Sequence, residues 1–228
     1  MIRFFEGEGP LRIYKMPDVQ GAYAIGADVA EGLDHGDYSC AHVLDARSGQ
    51  QCAVWHGHTP ADEFGYELKK LGNFYNNALV GCESNNHGLT TVTILRQLQY
   101  PRLYRDRKVD DITGKVELRY GFRTDQKSKP LILDELGGAL RDHDITIYDA
   151  PTIKELMTFI RDEKAKLHGS PHDDRVMSLA IAWKMIEYVS IGNDMNPPDD
   201  RWTLNWWARQ GAKKTGPLPI GAFNSRRN

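Results

Sequence analysis

The first third of the chain alternates short apolar runs with turn-forming residues. These runs predict three strands, at Ala22–Ala30, Ser39–Asp45 and Gln51–His58, after a leader at residues 1–20. The connections between the strands are short and contain Gly, Asp and Ser, a composition that favours tight turns. We therefore expect the three strands to form an antiparallel meander.

Farther along the chain, helical and strand-like periods alternate. Two more strands are predicted at Leu79–Glu83 and Ile145–Tyr148, and a charged hairpin over residues 105–120. Thr59 is the expected cap of the first helix and Ser170 the expected cap of the last. The predicted helices are Thr59–Phe74, Leu89–Leu98, Ser128–Asp142, Thr152–Lys166 and His172–Ser190.

This order of elements predicts one α/β domain at residues 21–190, with a central mixed β-sheet flanked by α-helices. The segment 191–228 is rich in Pro, Gly and Asn and contains three Trp residues, so we expect a C-terminal tail rather than part of the core. Such a tail suits either a solvated terminus or a docking peptide.

Acidic residues stand where three of the predicted elements begin or end. Asp28 and Glu83 lie at strand ends, and Asp173 and Asp174 open the last helix. Each acid alone has a structural explanation, as a turn residue, a cap or a partner of the helix dipole. However, the carboxyl ends of parallel strands meet at one edge of a sheet, and a helix across that sheet can bring its first turn there. The combination predicts an acidic metal-binding cluster.

Composition narrows the class of protein. The 228 residues are 40% hydrophobic and 26% charged, with a formal net charge of −2, which is ordinary for a soluble globular chain. No apolar run approaches the ~20 residues of a membrane span, and the first residues lack a secretion signal. Cys40, Cys52 and Cys82 stand singly, without a C-x-x-C spacing, so we expect buried thiols rather than disulfides or a zinc site.

Positive charge is concentrated in the middle of the chain. Between Arg102 and Lys129 there are nine Lys or Arg residues against five Asp or Glu. A basic patch beside an acidic centre suits a polyanionic substrate. The candidate DNA-binding residues are Arg102, Arg105, Arg107, Lys108 and Lys115.

Other polar residues near the acids are candidates to orient a carboxylate or to meet a phosphate. These are Asn85, His87, Lys127, Lys129 and His172. Each also suits an ordinary polar turn or a solvated helix entry, and the residues alone leave both interpretations open.

Several of these segments resemble the nuclease domain of tailed-phage large terminase subunits, over about Tyr23 to Tyr188. The matching parts are Asp28 at its strand end, Glu83-Ser-Asn-Asn-His-Gly88, the helix opening Lys129-Pro-Leu-Ile132, and His172-Asp-Asp-Arg-Val-Met-Ser-Leu-Ala-Ile-Ala182. The resemblance implies an RNase H-like fold, close to RuvC-type resolvases. It also implies a metal-dependent endonuclease that cuts double-stranded, concatemeric viral DNA during genome packaging.

By the same resemblance, Asp28, Glu83 and Asp174 are the expected catalytic metal ligands, holding Mg²⁺ or Mn²⁺ in a two-ion site, with Asp173 as a further ligand. Adjacent helical residues point about 100° apart, so both helix acids cannot address one ion equally. We favour Asp174. Crowded carboxylates also predict raised pKa values when no metal is bound.

The resemblance implies partners and a location as well. Besides double-stranded DNA, these are a terminase ATPase domain, a small terminase subunit and a portal protein, in the cytoplasm of an infected host cell. The chain contains no G-x-x-x-x-G-K-[ST] motif, so we expect a nuclease domain and not the packaging ATPase.

Two other functions fit part of the pattern. A RuvC-like junction resolvase would use the same fold and acids on branched DNA. A non-catalytic module that docks DNA or the motor would use the acids only structurally, so replacing them with Asn or Gln would leave DNA handling unchanged.

Overall fold

The structure is a computed structural model, and it describes residues 9–30, 38–85, 87–109, 116–161, 167–168 and 173–189. Its strands are β1 (Leu11–Ile13), β2 (Tyr23–Asp28), β3 (Ser39–Asp45), β4 (Gln51–Gly57), β5 (Leu79–Cys82), β6 (Arg105–Val109), β7 (Val116–Tyr120), β8 (Ile160–Arg161) and β9 (Leu167–His168). Its helices are α1 (Ala61–Phe74), α2 (Gly88–Gln97), α3 (Ser128–Arg141), α4 (Ala150–Thr158) and α5 (Asp174–Ile186).

A five-stranded mixed sheet forms the centre, in the order β1-β4-β3-β2-β5. Strands β2, β3 and β4 pair antiparallel, which confirms the predicted meander. Strand β5 lies parallel to β2, so the carboxyl ends of β2 and β5 reach the same edge of the sheet. The predicted mixed sheet flanked by helices is therefore confirmed.

The sheet separates two hydrophobic cores, because successive side chains of a strand point to opposite faces. On one face, Ile25 packs in a core with Phe64 of α1 and Leu95 of α2. On the other face, Ala24 packs in a core with Leu136 of α3, and α5 also lies there.

Helix α5 lies directly on β2 and β3, with α3 and α4 beside it. Val176 through Ala182 are all buried, so this helix is enclosed on nearly every side. The backbone of β2 comes very close to it at Gly26, where an added Cβ would stand 2.0 Å from the amide nitrogen of Ala182. A residue without a Cβ is therefore required at this contact.

Several element boundaries differ from the predictions. Segment Ile145–Tyr148 is not a strand; only Thr146 makes an isolated bridge, to Gln50. The predicted helix Thr152–Lys166 begins earlier, because Asp149 is the N-cap of α4 and its side chain accepts a hydrogen bond from the amide of Thr152. The helix is also shorter, because the chain is extended again at β8.

Both predicted helix caps were wrong. Helix α1 begins after Pro60, without a side-chain cap from Thr59. Helix α5 begins at Asp174 with Asp173 at its N-cap position, three residues after the predicted cap Ser170. In addition, β1 lies inside the segment assigned to a leader and pairs with β4, so part of that leader belongs to the sheet.

The charged hairpin is present as the antiparallel pair β6 and β7. Its predicted turn and the tail assigned to residues 191–228 lie outside the described residues. Cys40, Cys52 and Cys82 are free and buried, as predicted. Among the helices of the described ranges, none has the length and apolar character needed to cross a bilayer.

Candidate metal centre

Three acids from three different elements line one small cavity at the carboxyl edge of the sheet. Asp28 is the last residue of β2, Glu83 follows β5, and Asp174 is the first residue of α5. The cavity has a volume of about 200 Å³, and Asp173 and Lys129 line it too. The amide of Glu83 donates to the carbonyl of Ala27 at 2.8 Å, which extends the parallel pairing of the two strands up to the acids.

Glu83 is held by two neighbouring side chains. Its Oε1 accepts a hydrogen bond from Asn85 Nδ2 at 3.1 Å and a second, short one from the Thr124 hydroxyl. Asn85 Nδ2 also donates to the carbonyl oxygen of Thr124 at 2.6 Å. One carboxylate oxygen of Glu83 is therefore engaged by the protein.

The two adjacent acids of α5 have different surroundings. Asp173 Oδ2 accepts from Lys129 Nζ at 2.8 Å, in an ion pair at the rim of the cavity. Asp174 is only 6% exposed, and its Oδ2 lies 3.3 Å from the backbone amide of Tyr38, which donates to it. Asp173 is thus neutralised by a lysine, and Asp174 is the more deeply placed of the two.

Asp28 has a strongly perturbed acidity. Burial, a side-chain hydrogen bond with Glu83, and the charges of Glu83, Asp174 and Asp173 hold the pKa of Asp28 well above its ordinary value. Its ionised form is therefore costly, even though Lys129 at the rim of the cavity pairs with Asp173. A cation placed among the acids would relieve that cost.

The donors fit a hard divalent cation in chemical kind, because all of them are carboxylate oxygens. Within the described residues, however, no three His, Cys, Asp or Glu side chains are already arranged to hold a metal ion. The acids line one cavity without forming a closed set of ligands. An ion would have to draw Asp28, Glu83 and Asp174 inward.

The other predicted site residues are distributed unevenly. Lys129 reaches the cavity and Asn85 contacts Glu83, but His87 occupies the N-cap position of α2 and Lys127 that of α3, and neither lines the cavity. His172 lies outside the described residues.

The candidate DNA-binding residues lie on or near the hairpin. Arg102 is partly buried before β6, and Arg105 is the first residue of β6. Arg107 and Lys108 belong to β6 by their backbone, and their side chains are outside the described set, as is Lys115 altogether.

Sequence reasoning missed Thr124, which lies just after the hairpin and touches both Glu83 and Asn85. Its polar side chain in a run of basic residues gave no periodic signal. The isolated bridge between Glu83 and Phe122, with the backbone hydrogen bonds beside it, brings this segment to the acids.

A buried polar network behind α5 was also missed. Fully buried Asp149 accepts from Arg175 Nη1 at 2.9 Å and from the Tyr14 hydroxyl at 2.6 Å. Burial alone would raise the pKa of Asp149, but hydrogen bonds from Tyr14 and Thr152 and the charge of Arg175 lower it below its ordinary value. Because Arg175 directly follows Asp174, this network anchors the start of α5.

Comparison with solved structures identifies the architecture. The large terminase nuclease of thermophilic phage G20c matches with a TM-score of 0.63 in its magnesium-bound crystal structure, at 21% identity over 79% of this chain and 89% of that one. Its cobalt-bound form matches with a TM-score of 0.61, at 20% identity and the same coverage. The large terminase nuclease domain of Thermus phage P74-26 has a TM-score of 0.58, at 23% identity over 83% of this chain and 90% of that one.

The chain has the fold of phage large terminase nuclease domains. That fold is RNase H-like, so the predicted fold class is confirmed. At the level of sequence, no family model and no curated protein matches the chain. The terminase nuclease fold is thus recognised through the sheet order and the positions of the helices, and those elements bring Asp28, Glu83 and Asp174 to one cavity.

Proposed function

We propose that the chain is a divalent-metal-dependent endonuclease that hydrolyses double-stranded DNA during viral genome packaging. The observation that carries this proposal is the convergence of Asp28, Glu83 and Asp174 on one cavity, in a fold shared with phage terminase nucleases. Solved relatives with bound magnesium, cobalt and zinc support a divalent ion at an equivalent centre.

In this proposal, Asp28, Glu83 and Asp174 hold the ion or ions, and Mg²⁺ or Mn²⁺ is the expected occupant because both take oxygen ligands. Two such ions, when bound, would supply activation of a water and stabilisation of the leaving oxygen of the phosphodiester. Asp173 is the proposed ligand of a second ion, and it would have to give up its ion pair with Lys129 to bind that ion.

The surrounding side chains have supporting tasks. Thr124 and Asn85 fix one oxygen of Glu83, which holds this carboxylate in place at the cavity. Lys129 supplies a positive charge at the rim, which favours the approach of a phosphate. The basic residues on and just before the hairpin, including Arg105 and Arg102, are the proposed contacts to the DNA backbone.

The proposed partners follow from the same likeness. Terminase nuclease neighbours support DNA as the substrate, and an ATPase domain, a small terminase subunit and a portal protein are the proposed partners in packaging. The proposed location is the cytoplasm of the infected host cell.

The test is cleavage of supercoiled plasmid by the purified chain with Mg²⁺ or Mn²⁺, followed as nicking and linearisation on a gel. We expect cutting that EDTA abolishes and that Asp174→Asn reduces by at least about a hundredfold, since loss of a metal ligand removes most of the electrostatic stabilisation. Asp134→Asn is the matched control, because Asp134 is an exposed acid of α3 outside the cavity.

Three outcomes would contradict the proposal or redirect it. Cutting that survives Asp174→Asn would remove the acids from the chemistry. DNA binding without cutting in either metal would favour the docking module. Preference for a four-way junction over a linear duplex of the same sequence would favour the resolvase.

A further inference from the structure

A second cavity lies on the outer side of α2, apart from the acids. It has a volume of about 610 Å³ and lies between the C-terminal half of α2, the loop after it and the base of the hairpin. We call it the arginine pocket. Its functional lining consists of Arg96, Arg105 and Tyr120, with Thr93, Gln97 and Gln99 around them.

Two guanidinium groups share one aromatic ring in this pocket. The guanidinium carbon of Arg96 lies 4.4 Å from the centroid of the Tyr120 ring, and that of Arg105 lies 4.8 Å from it. Both positive charges are therefore concentrated around a single side chain. Among the described residues, no carboxylate forms an ion pair with either arginine.

The arginines of the pocket include a donor without an acceptor among the described residues. Arg105 Nε is shielded from solvent and has no hydrogen-bond partner within the described part of the chain. A buried donor on a charged group is costly without an acceptor. An arginine at this position would ordinarily donate hydrogen bonds to the C-terminal carbonyls of α2. At the end of this helix, however, the carbonyl of Leu98 already accepts from Lys69 Nζ at 2.8 Å.

We propose that the arginine pocket binds a backbone phosphate of the DNA, outside the centre where the strand is cut. A guanidinium presents paired donors that match phosphate oxygens, and stacking on a ring fixes its orientation. An anion there would supply the missing acceptor for Arg105 and the counter-charge for both arginines. The exposed amides of Gln97 and Gln99 add neutral donors around it.

The position of the pocket fits one DNA strand that reaches both sites. Tyr120 ends β7, and the next four residues lead to Thr124 at the acid cavity. Four residues span at most about 14 Å. DNA rises about 3.4 Å per nucleotide along each strand, so this backbone span corresponds to about four nucleotides, and the held phosphate would lie a few nucleotides from the cut. This proposal rests on the proposed DNA substrate, and its test does not require cleavage.

The test measures binding of a labelled linear duplex in EDTA, by fluorescence anisotropy over a series of salt concentrations. For the double variant Arg96→Gln/Arg105→Gln, we expect affinity to fall by about tenfold and the slope of log K against log salt to become shallower by about 0.9, the value for one lost phosphate contact. The matched control is Arg47→Gln/Arg141→Gln, which removes two exposed arginines outside the pocket.

A direct readout complements the binding curves. The Nε–H resonance of Arg105 in an NMR spectrum of the full chain should shift when duplex is added. Inorganic phosphate and a deoxynucleoside monophosphate are added in separate arms, to distinguish a backbone phosphate from a free one. If the double variant does not fold, Arg96→Lys/Arg105→Lys keeps the charges and should lose the directional contact with partial loss of affinity.

An unchanged slope and affinity in the double variant, equal to the control, would overturn the arginine pocket as a DNA contact. If the shift of the Arg105 resonance is complete at a lower concentration of monophosphate than of duplex, the pocket binds a free nucleotide rather than a backbone phosphate, and the proposal is overturned. The two proposals can fail independently. If the proposed nuclease activity is wrong, no cleavage will be seen while the metal-free binding of DNA remains.

Discussion

Glu83 is the acid whose position depends most clearly on uncharged neighbours. Thr124 and Asn85 both donate to the same carboxylate oxygen, and they also contact each other. Groups that orient a metal ligand in this way commonly change affinity or activity by about 10- to 100-fold when they are removed. The short segment after the hairpin therefore supports the proposed metal centre by holding Glu83.

We predict that Thr124→Val lowers cleavage by about tenfold or more, because the methyl group keeps the volume and removes the hydroxyl donor. The apparent affinity for Mg²⁺ should fall with it. Thr124→Ser keeps the donor and should remain close to the original protein. The measurement is the plasmid-cutting rate over a Mg²⁺ titration. Equal rates for the Val and Ser variants would show that this hydrogen bond has no part in positioning Glu83.

Lys129 and Asp173 form the other pair whose arrangement bears on function. Their ion pair lies at the rim of the cavity, and each side chain is about one-third exposed or less, at 33% and 28%. An exposed pair of this kind contributes little to stability, usually less than about 1 kcal/mol. In the proposed metal centre its effect is local, because the pair would withhold Asp173 from an ion and leave Asp174 as the ligand from α5.

At the scale of the elements, the contact between β2 and α5 determines where two of the acids meet. Asp28 ends β2, and Asp174 begins α5. The two elements touch at Gly26, where an added Cβ would stand 2.0 Å from the amide nitrogen of Ala182 and 2.2 Å from the carbonyl oxygen of Ser178. These are backbone atoms, so the clash cannot be relieved by turning a side chain.

We predict that Gly26→Ala destabilises the fold by at least about 2 kcal/mol, since overpacking in a filled core costs about 1–3 kcal/mol even where side chains can adjust. Cleavage should fall as well, because α5 must move away from β2. Gly137→Ala is the matched control: Gly137 lies inside α3, and an added Cβ there would stand at an ordinary contact distance of 3.6 Å from Arg141 Nη1, so an alanine should stabilise by about 0.5–1 kcal/mol. Urea unfolding measures both variants. Equal urea midpoints for Gly26→Ala and the original protein would show that β2 and α5 can separate enough to accept the methyl group.

At the scale of the whole molecule, the three strands of the meander were predicted well. The predicted span Ser39–Asp45 coincides with β3, because an apolar run bounded by turn residues has few alternative structures. Thr152–Lys166 was mispredicted because the helical period continues past Thr158, whereas the chain turns into β8 there. A local pattern carries no information about which neighbour will take up the backbone hydrogen bonds.

The site was predictable to a similar degree and for a related reason. The acids Asp28, Glu83 and Asp174 could be picked out because they stand at element ends, and all three do line one cavity. Their roles as metal ligands stay a prediction. Thr124 and the arginine pocket could not be anticipated, because both depend on pairings between segments far apart in the chain.

The stability of the whole molecule should depend on pH through a histidine remote from solvent. His42 lies between Ser178 and Thr152, with its ring nitrogens 2.9 and 3.1 Å from their hydroxyls. Burial lowers the pKa of His42 to about 3, whereas an unfolded histidine titrates near 6.5. Below about pH 6.5 the unfolded chain therefore takes up a proton that the folded chain refuses.

The contribution of His42 to stability is complete above about pH 6.5 and is lost as the pH falls toward 3, at up to about 1.4 kcal/mol per pH unit. Asp28 acts in the opposite direction, since its raised pKa lets the folded chain hold a proton at higher pH than the unfolded chain. The dependence of the unfolding free energy of the original protein on pH therefore sums two opposing contributions, and comparison with a variant isolates that of His42.

We predict that the unfolding free energy of the original protein, minus that of His42→Gln, decreases by about 2 kcal/mol from pH 8 to pH 5. Glutamine does not titrate, and the contribution of Asp28 is common to both proteins and cancels in the difference. Urea unfolding at half-unit pH steps measures it, and the difference should stay constant between pH 7.5 and 8, where the histidine is neutral in both states. A difference that stays constant down to pH 5 would mean that folded His42 accepts a proton as readily as the unfolded chain does, and the buried pairing with Ser178 and Thr152 would then have to open in solution.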